Sequence, residues 1–196
     1  MNETEKIVLI KKLAEDSAIM RQSLSEELGK SIVDVALVMS GVIGSGGKIL
    51  TAANGGLIGT ASSFASELVV RVTANRKRQP LPALTLTSDT SVMTAAADEF
   101  GYEHMFARQI EALGHKGDLL LVFSPDGNCV NLIRAVQAAR EKGMINVAML
   151  GNSGGDLVKI VERSLVVPHP SIHRVHEEHL FITHVLVDLL ERDLLG

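Results

Sequence analysis

Residues 50–68 read "LTAANGGLIGTASSFASEL", and this stretch decides the fold. It starts as the end of a buried strand, turns through Asn54, Gly55 and Gly56, and continues as the first turns of a helix. A strand, a glycine turn and a helix N-terminus together suit an anion. Glycine lets backbone N–H groups approach a ligand, and the helix start adds partial positive charge. Leu57 stands where a hydroxyl would complete such a cradle. A purely structural turn is the competing reading.

The same layout recurs outward from this point. "KILTAA", "ALTLTS", "GDLLLVFS", "INVAMLG" and "RSLVVPH" read as strands, with helical stretches between them. "GDLLLVFS" and "INVAMLG" are unbroken apolar runs, as expected when both sheet faces are covered. The alternation predicts a parallel sheet with helices on both faces. Ligands in such sheets bind beyond the carboxyl ends of the strands. A second turn there, Ser124–Asn128, reads "SPDGN". Ser124 offers a hydroxyl, Pro125 has no N–H, and Asp126 is an anion. A carboxylate beside a phosphate repels it by about 1–4 kcal/mol at close range, depending on the effective dielectric.

Before the sheet, residues 3–42 carry apolar positions at helical spacing. One stripe runs through Ile7, Ile10, Leu13 and Ala14, and a second through Val33, Leu37 and Val38. A break is expected between them near Gly29 and Lys30. The helix opened by the first glycine turn is expected to run through "GTASSFASELVVRVTA" to Ala74. Residues 174–195 form a long final helix. A chain of 196 residues fits one domain, residues 1–196, with N-terminal helices over 1–45 and an α/β core over 46–196.

Composition excludes several classes. Net charge is -4 and no long basic run occurs, which disfavours direct nucleic-acid binding. The cluster Arg76, Lys77, Arg78 beside Pro80 reads as a solvated loop. A single cysteine, Cys129, permits no intrachain disulfide. The N-terminal residues lack an apolar signal region, and no window is apolar enough to span a membrane. These features predict a cytoplasmic protein without a membrane partner.

Several side chains carry possible chemistry. Glu67 lies in an apolar helix and reads as a base, a metal ligand, or the partner of Arg71 one turn on. "HRVHEEHLFITH" places His176 and His184 near one face of the last helix, with His173 and His179 pointing elsewhere. Two such histidines and a third ligand suit zinc, and a solvated histidine-rich surface is the alternative. Cys129 reads as a small hydrophobe at the turn or in the core.

Taken in order, these pieces resemble the bacterial phosphoheptose (sedoheptulose-7-phosphate) isomerase family of SIS domains. The likeness covers nearly the whole chain and is strongest from Ser88 to Gly143, with "NGG" before it and "RVHEEH" after it. The resemblance implies a three-layer, flavodoxin-like α/β/α sandwich with a five-stranded parallel sheet. It also implies a homotetramer with active sites at subunit interfaces. The implied reaction is ketose–aldose isomerisation of a sugar phosphate through an enediol, with zinc as cofactor. By family position Glu67 is the base and His184 the acid. Substrate contacts fall on Asn54, Gly55, Gly56, Asp98, Glu99, Ser124, Asp126, Asn128, Cys129 and His176. Glu67, His176 and His184 would hold the metal.

The chain departs from the family at defined places. Leu57 replaces the phosphate-binding serine. Ser63 replaces a zinc histidine one turn before Glu67. Asp98 and Glu99 replace an Asn-Asp pair. Pro125, Asp126 and Cys129 replace hydroxyl residues in the second turn, and His176 replaces a glutamine. Each lost hydrogen bond removes about 1 kcal/mol of phosphate grip. The alternative functions are a non-catalytic tetrameric sugar sensor or scaffold, of the kind that binds the replication initiator, and a helper subunit lending residues to a competent paralogue.

Overall fold

The computed structural model describes residues 1–71 and 77–195. Helix α1 spans Glu3–Gly44. Asn2 caps it: its side chain accepts the Glu5 N–H at 2.9 Å, and the Glu5 carboxylate accepts the Asn2 N–H at 2.8 Å. The expected break at Gly29 and Lys30 does not occur, and α1 runs through both. A glycine inside a helix costs only about 1 kcal/mol relative to alanine. Packing against the last helix outweighs it, through Leu24, Ile32, Val35, Ala36 and Met39. The earlier stripe of Ile7, Ile10 and Leu13 stays exposed.

Five parallel strands follow, in the spatial order β2-β1-β3-β4-β5. They are β1 (Ile49–Ala53), β2 (Ala83–Thr85), β3 (Leu119–Ser124), β4 (Ile145–Gly151) and β5 (Arg163–Val167). Alternate residues feed two cores. Ile49, Leu121, Phe123, Met149 and Val167 face α1, α2 (Leu57–Val69) and α6 (Ile172–Leu195). Leu50, Val122, Ala148 and Leu150 face α3 (Thr90–Phe100), α4 (Met105–Leu113) and α5 (Val130–Glu141). The result is the expected α/β/α sandwich with one long N-terminal helix. Helix α2 ends at Val69, short of the expected Ala74; residues 72–76 lie outside the described residues.

The sheet order reverses between β1 and β3. Chains leaving these adjacent strands diverge to opposite sides, which opens the crevice where such sheets bind ligands. The turns after β1 and β3 are the two glycine turns of the sequence. Among the described residues, no helix is long and apolar enough to cross a membrane.

Candidate functional site

The first turn is built by hydrogen bonds among amides. Asn54 and Asn131 pair reciprocally: Asn54 Nδ2 donates to Asn131 Oδ1 at 2.8 Å, and Asn131 Nδ2 donates to Asn54 Oδ1 at 2.9 Å. Tyr102 Oη donates to the same Asn54 oxygen at 3.0 Å. Asn131 lies in the first turn of α5, so it ties the loop after β1 to the helix after β3. Gly55 has φ +55°, the left-handed region that favours glycine. Gly56 lies under His176, whose Cε1 would be 2.8 Å from a Cβ placed there, so a side chain at 56 would displace the ring. Leu57 is fully buried and belongs to the core below the turn.

Beyond the turn, one face of α2 presents Ser63 and Glu67. Ser63 Oγ donates to Glu67 Oε1 at 3.0 Å, across one helical turn. His184 Nε2 of α6 stands 3.3 Å from the same oxygen. The Glu67 side chain is 18% exposed and its Oε2 is buried without a hydrogen-bond partner, whereas His184 is 49% exposed. A buried, unpaired carboxylate oxygen is costly unless a proton or ligand takes it.

The second turn satisfies itself. Ser124 Oγ accepts the Gly127 N–H at 2.9 Å, and Asp126 Oδ1 accepts the Asn128 N–H at 2.9 Å. Ser124 Oγ also reaches Asp126 Oδ1 at 3.4 Å and lies 3.5 Å from Cys129 Sγ. Asn128 Oδ1 accepts the Asp156 N–H at 3.2 Å, fastening the turn to the loop after β4. An internal carboxylate thus engages donors that an incoming anion would use.

The last helix distributes its histidines by depth. His176 is half-buried against Gly56, and burial, with a smaller effect from His173, lowers its pKa. His179 is fully buried. Its Nε2 lies 3.1 Å from the Leu150 carbonyl oxygen and its ring meets Phe123 edge-on. Burial lowers the His179 pKa to about 4, against a smaller opposing effect of the Leu150 bond. So His176 lies against Gly56 and His184 against Glu67, while His179 points into the sheet.

The expected metal set does not assemble. Among the described residues, no three histidine, cysteine or carboxylate side chains stand together as ligands for an ion. Glu67 and His184 meet, the His176 ring lies against Gly56, and the Ser63 hydroxyl is spent on Glu67. A carboxylate and one imidazole fall short of the three protein ligands of an open zinc site. Asp98 and Glu99 are exposed on α3, on the sheet face opposite α2 and α6. Glu99 lines a separate groove of about 590 Å³ with Thr85, Ser88 and Gln109.

Two groups escaped the sequence reading. Tyr102 and Asn131 carry no sequence signal of their role, which appears only when the fold brings them to Asn54. Arg78 was expected in solvent. Its side chain is 1% exposed and its Nε donates to Glu191 Oε1 at 2.8 Å. Arg76 lies outside the described residues.

Fold and site together define a SIS domain, and the SIS domain family model matches residues 14–151. A phosphoheptose isomerase from Pelodictyon phaeoclathratiforme is 41% identical over 177 residues, covering 90% of this chain and 84% of that protein. One from Halorhodospira halophila is 38% identical over 190 residues, covering 95% of each. Among solved structures, a phosphoheptose isomerase from Francisella tularensis superposes with a TM-score of 0.91 at 32% identity, covering 98% of this chain and 100% of that one. The chain belongs to the phosphoheptose isomerase family of SIS-domain proteins.

Proposed function

We propose that this protein interconverts a ketose phosphate and its aldose phosphate through an enediol, the reaction type of sedoheptulose 7-phosphate isomerases. The carrying observation is Glu67, whose Oε1 meets His184 while its buried Oε2 has no partner. Glu67 takes the proton from the carbon next to the carbonyl. His184 gives a proton to the carbonyl oxygen as charge develops there, forming the enediol. Return of the proton to the neighbouring carbon, with loss of the other hydroxyl proton, completes the exchange. Asn54, Gly55 and Gly56 border the crevice on one side, and Ser124, Asn128 and Cys129 on the other.

No step is assigned to a metal. A zinc ion would need His176 to leave Gly56 and join Glu67 and His184. The working form is a homotetramer, in which other copies cover exposed α1 residues such as Ile10 and Leu37. The setting is the cytoplasm. Sedoheptulose 7-phosphate incubated with purified protein should yield the aldose phosphate, and Glu67→Gln should abolish it. Equal yields from both would remove the reading.

The self-satisfied second turn favours a second reading, a tetramer that binds a sugar or a protein partner without turnover. Stabilisation by a sugar without product formation, or capture of the replication initiator by the purified tetramer, would support it over the first.

A further inference from the structure

We propose that Arg78 and Glu191 form a buried clasp that sets the distance between Glu67 and His184, making both positioning residues for the acid–base pair. The inference rests on the reading of that pair as catalytic.

Helix α2 ends poorly by its own means. No basic residue lies in its last turn, and the capping position, Val70, keeps right-handed helical angles with no glycine turn to close the end. The last carbonyls of a helix lack partners within it and need donors from elsewhere. Arg78, from the loop before β2, supplies two, and the Leu81 N–H adds a third, to the Leu68 oxygen at 3.0 Å. Arg78 Nη2 donates to the main-chain oxygen of Glu67 at 2.6 Å, and its Nη1 to that of Leu68 at 2.7 Å. The Glu67 backbone is therefore held directly by the guanidinium. A further bond from Nη1 to the Gln79 oxygen, at 3.1 Å, fixes the loop that carries Arg78.

The other side of the same guanidinium faces α6. Its Nε donates to Glu191 Oε1 at 2.8 Å, and the two side chains are 1% and 0% exposed. Glu191 follows His184 by two helical turns and so projects from a neighbouring part of the same face. One planar group thus joins the residue bearing the base to the helix bearing the acid. A rigid fork does this better than an ammonium, which is a compact charge on a flexible stem. Burial strengthens the constraint, because removing Glu191 takes a carboxylate away from a buried guanidinium. The pair it holds is sensitive, since a misplacement of about 1 Å can cost about a hundredfold in rate.

Two variants test the clasp. Arg78→Lys keeps the positive charge and loses the fork. Arg78→Gln combined with Glu191→Gln removes both buried charges, so that folding does not hinge on one unpaired ion. Melting curves identify folded variants; crystal structures and steady-state kinetics are then compared with the wild type. In either folded variant the Glu67 Oε1–His184 Nε2 separation should widen beyond about 4 Å, breaking the contact. Turnover at saturating substrate should fall by about tenfold to a hundredfold with KM within about twofold, a split that general loosening of the fold does not produce. A folded variant that keeps the wild-type separation and turnover overturns the clasp. Should the wild-type protein turn over no ketose phosphate, the catalytic reading fails alone, and the separation in the variant crystals still decides whether Arg78 and Glu191 hold the two helices in register.

Discussion

His184 Nε2 stands 3.3 Å from Glu67 Oε1, joining the last helix to the helix that opens after the first glycine turn. Ser63 Oγ donates to the same oxygen. Glu67 Oε1 is therefore held by Ser63 and His184, while Oε2 is buried without a hydrogen-bond partner. This division of labour within one carboxylate motivates the mechanism and the expectations that follow.

The second turn should be the weak point for phosphate. Asp126 already accepts the Asn128 N–H, and Leu57 withholds a hydroxyl from the first turn. Asp126→Ser removes the repulsion and frees the donor, so inorganic phosphate and sugar phosphates should bind about tenfold more tightly or better, an effect of about 1–2 kcal/mol. Calorimetric titration measures it. Unchanged or weaker affinity would show that this turn does not meet the anion. Leu57→Ser should not give the same gain, because it opens a cavity in the core at a cost of about 2–4 kcal/mol in stability.

Ser63 stands one turn before Glu67 on the same helix face, where a histidine would supply the missing third ligand. Metal analysis of the wild-type protein after dialysis should give well under one zinc per chain. Ser63→His should approach one, drawn by Glu67, His184 and the new imidazole. Stoichiometric zinc in the wild type would mean that His176 moves from Gly56 to complete a site.

His179 makes stability depend on pH. Its folded-state pKa is about 4, while a histidine in the unfolded chain titrates near 6.5. Between these values the unfolded chain binds the extra proton and the folded one does not. The contribution is therefore complete above about pH 6.5, declines as pH falls toward about 4, and changes no further below that. Its size is about 3 kcal/mol at most. Denaturant midpoints measured across this range should fall with acidity, and His179→Gln should flatten the slope, since its amide can still donate to the Leu150 carbonyl. An equal slope in wild type and variant would assign the pH dependence to other groups.

Most of the sheet was legible because buried parallel strands are written as apolar runs. "INVAMLG" coincides with β4, residue for residue. The two glycine turns were legible for a related reason: glycine and asparagine are needed where a chain turns tightly after a strand. What was not legible depended on partners far away in the sequence. Gly29 reads locally as a break, and only packing of α1 on α6 makes the helix continuous. Arg78 reads as one of three solvated basic residues until Glu191 is brought beside it. Spacing grouped His176 with His184 near one helix face, yet it did not show that the His176 ring would lie against Gly56. Local pattern reports periodicity and turns, while tertiary contacts decide which polar group meets which.

The most direct test of the mechanism is exchange of substrate hydrogen with solvent. Sedoheptulose 7-phosphate is incubated with the protein in deuterium oxide and followed by proton NMR at the carbon beside the carbonyl. The wild-type protein should exchange this hydrogen for deuterium, and Glu67→Gln should slow the exchange by about a hundredfold to ten-thousandfold, the range for loss of a general base. No exchange by the wild type, or equal exchange by the variant, would contradict the assignment of Glu67 as the base.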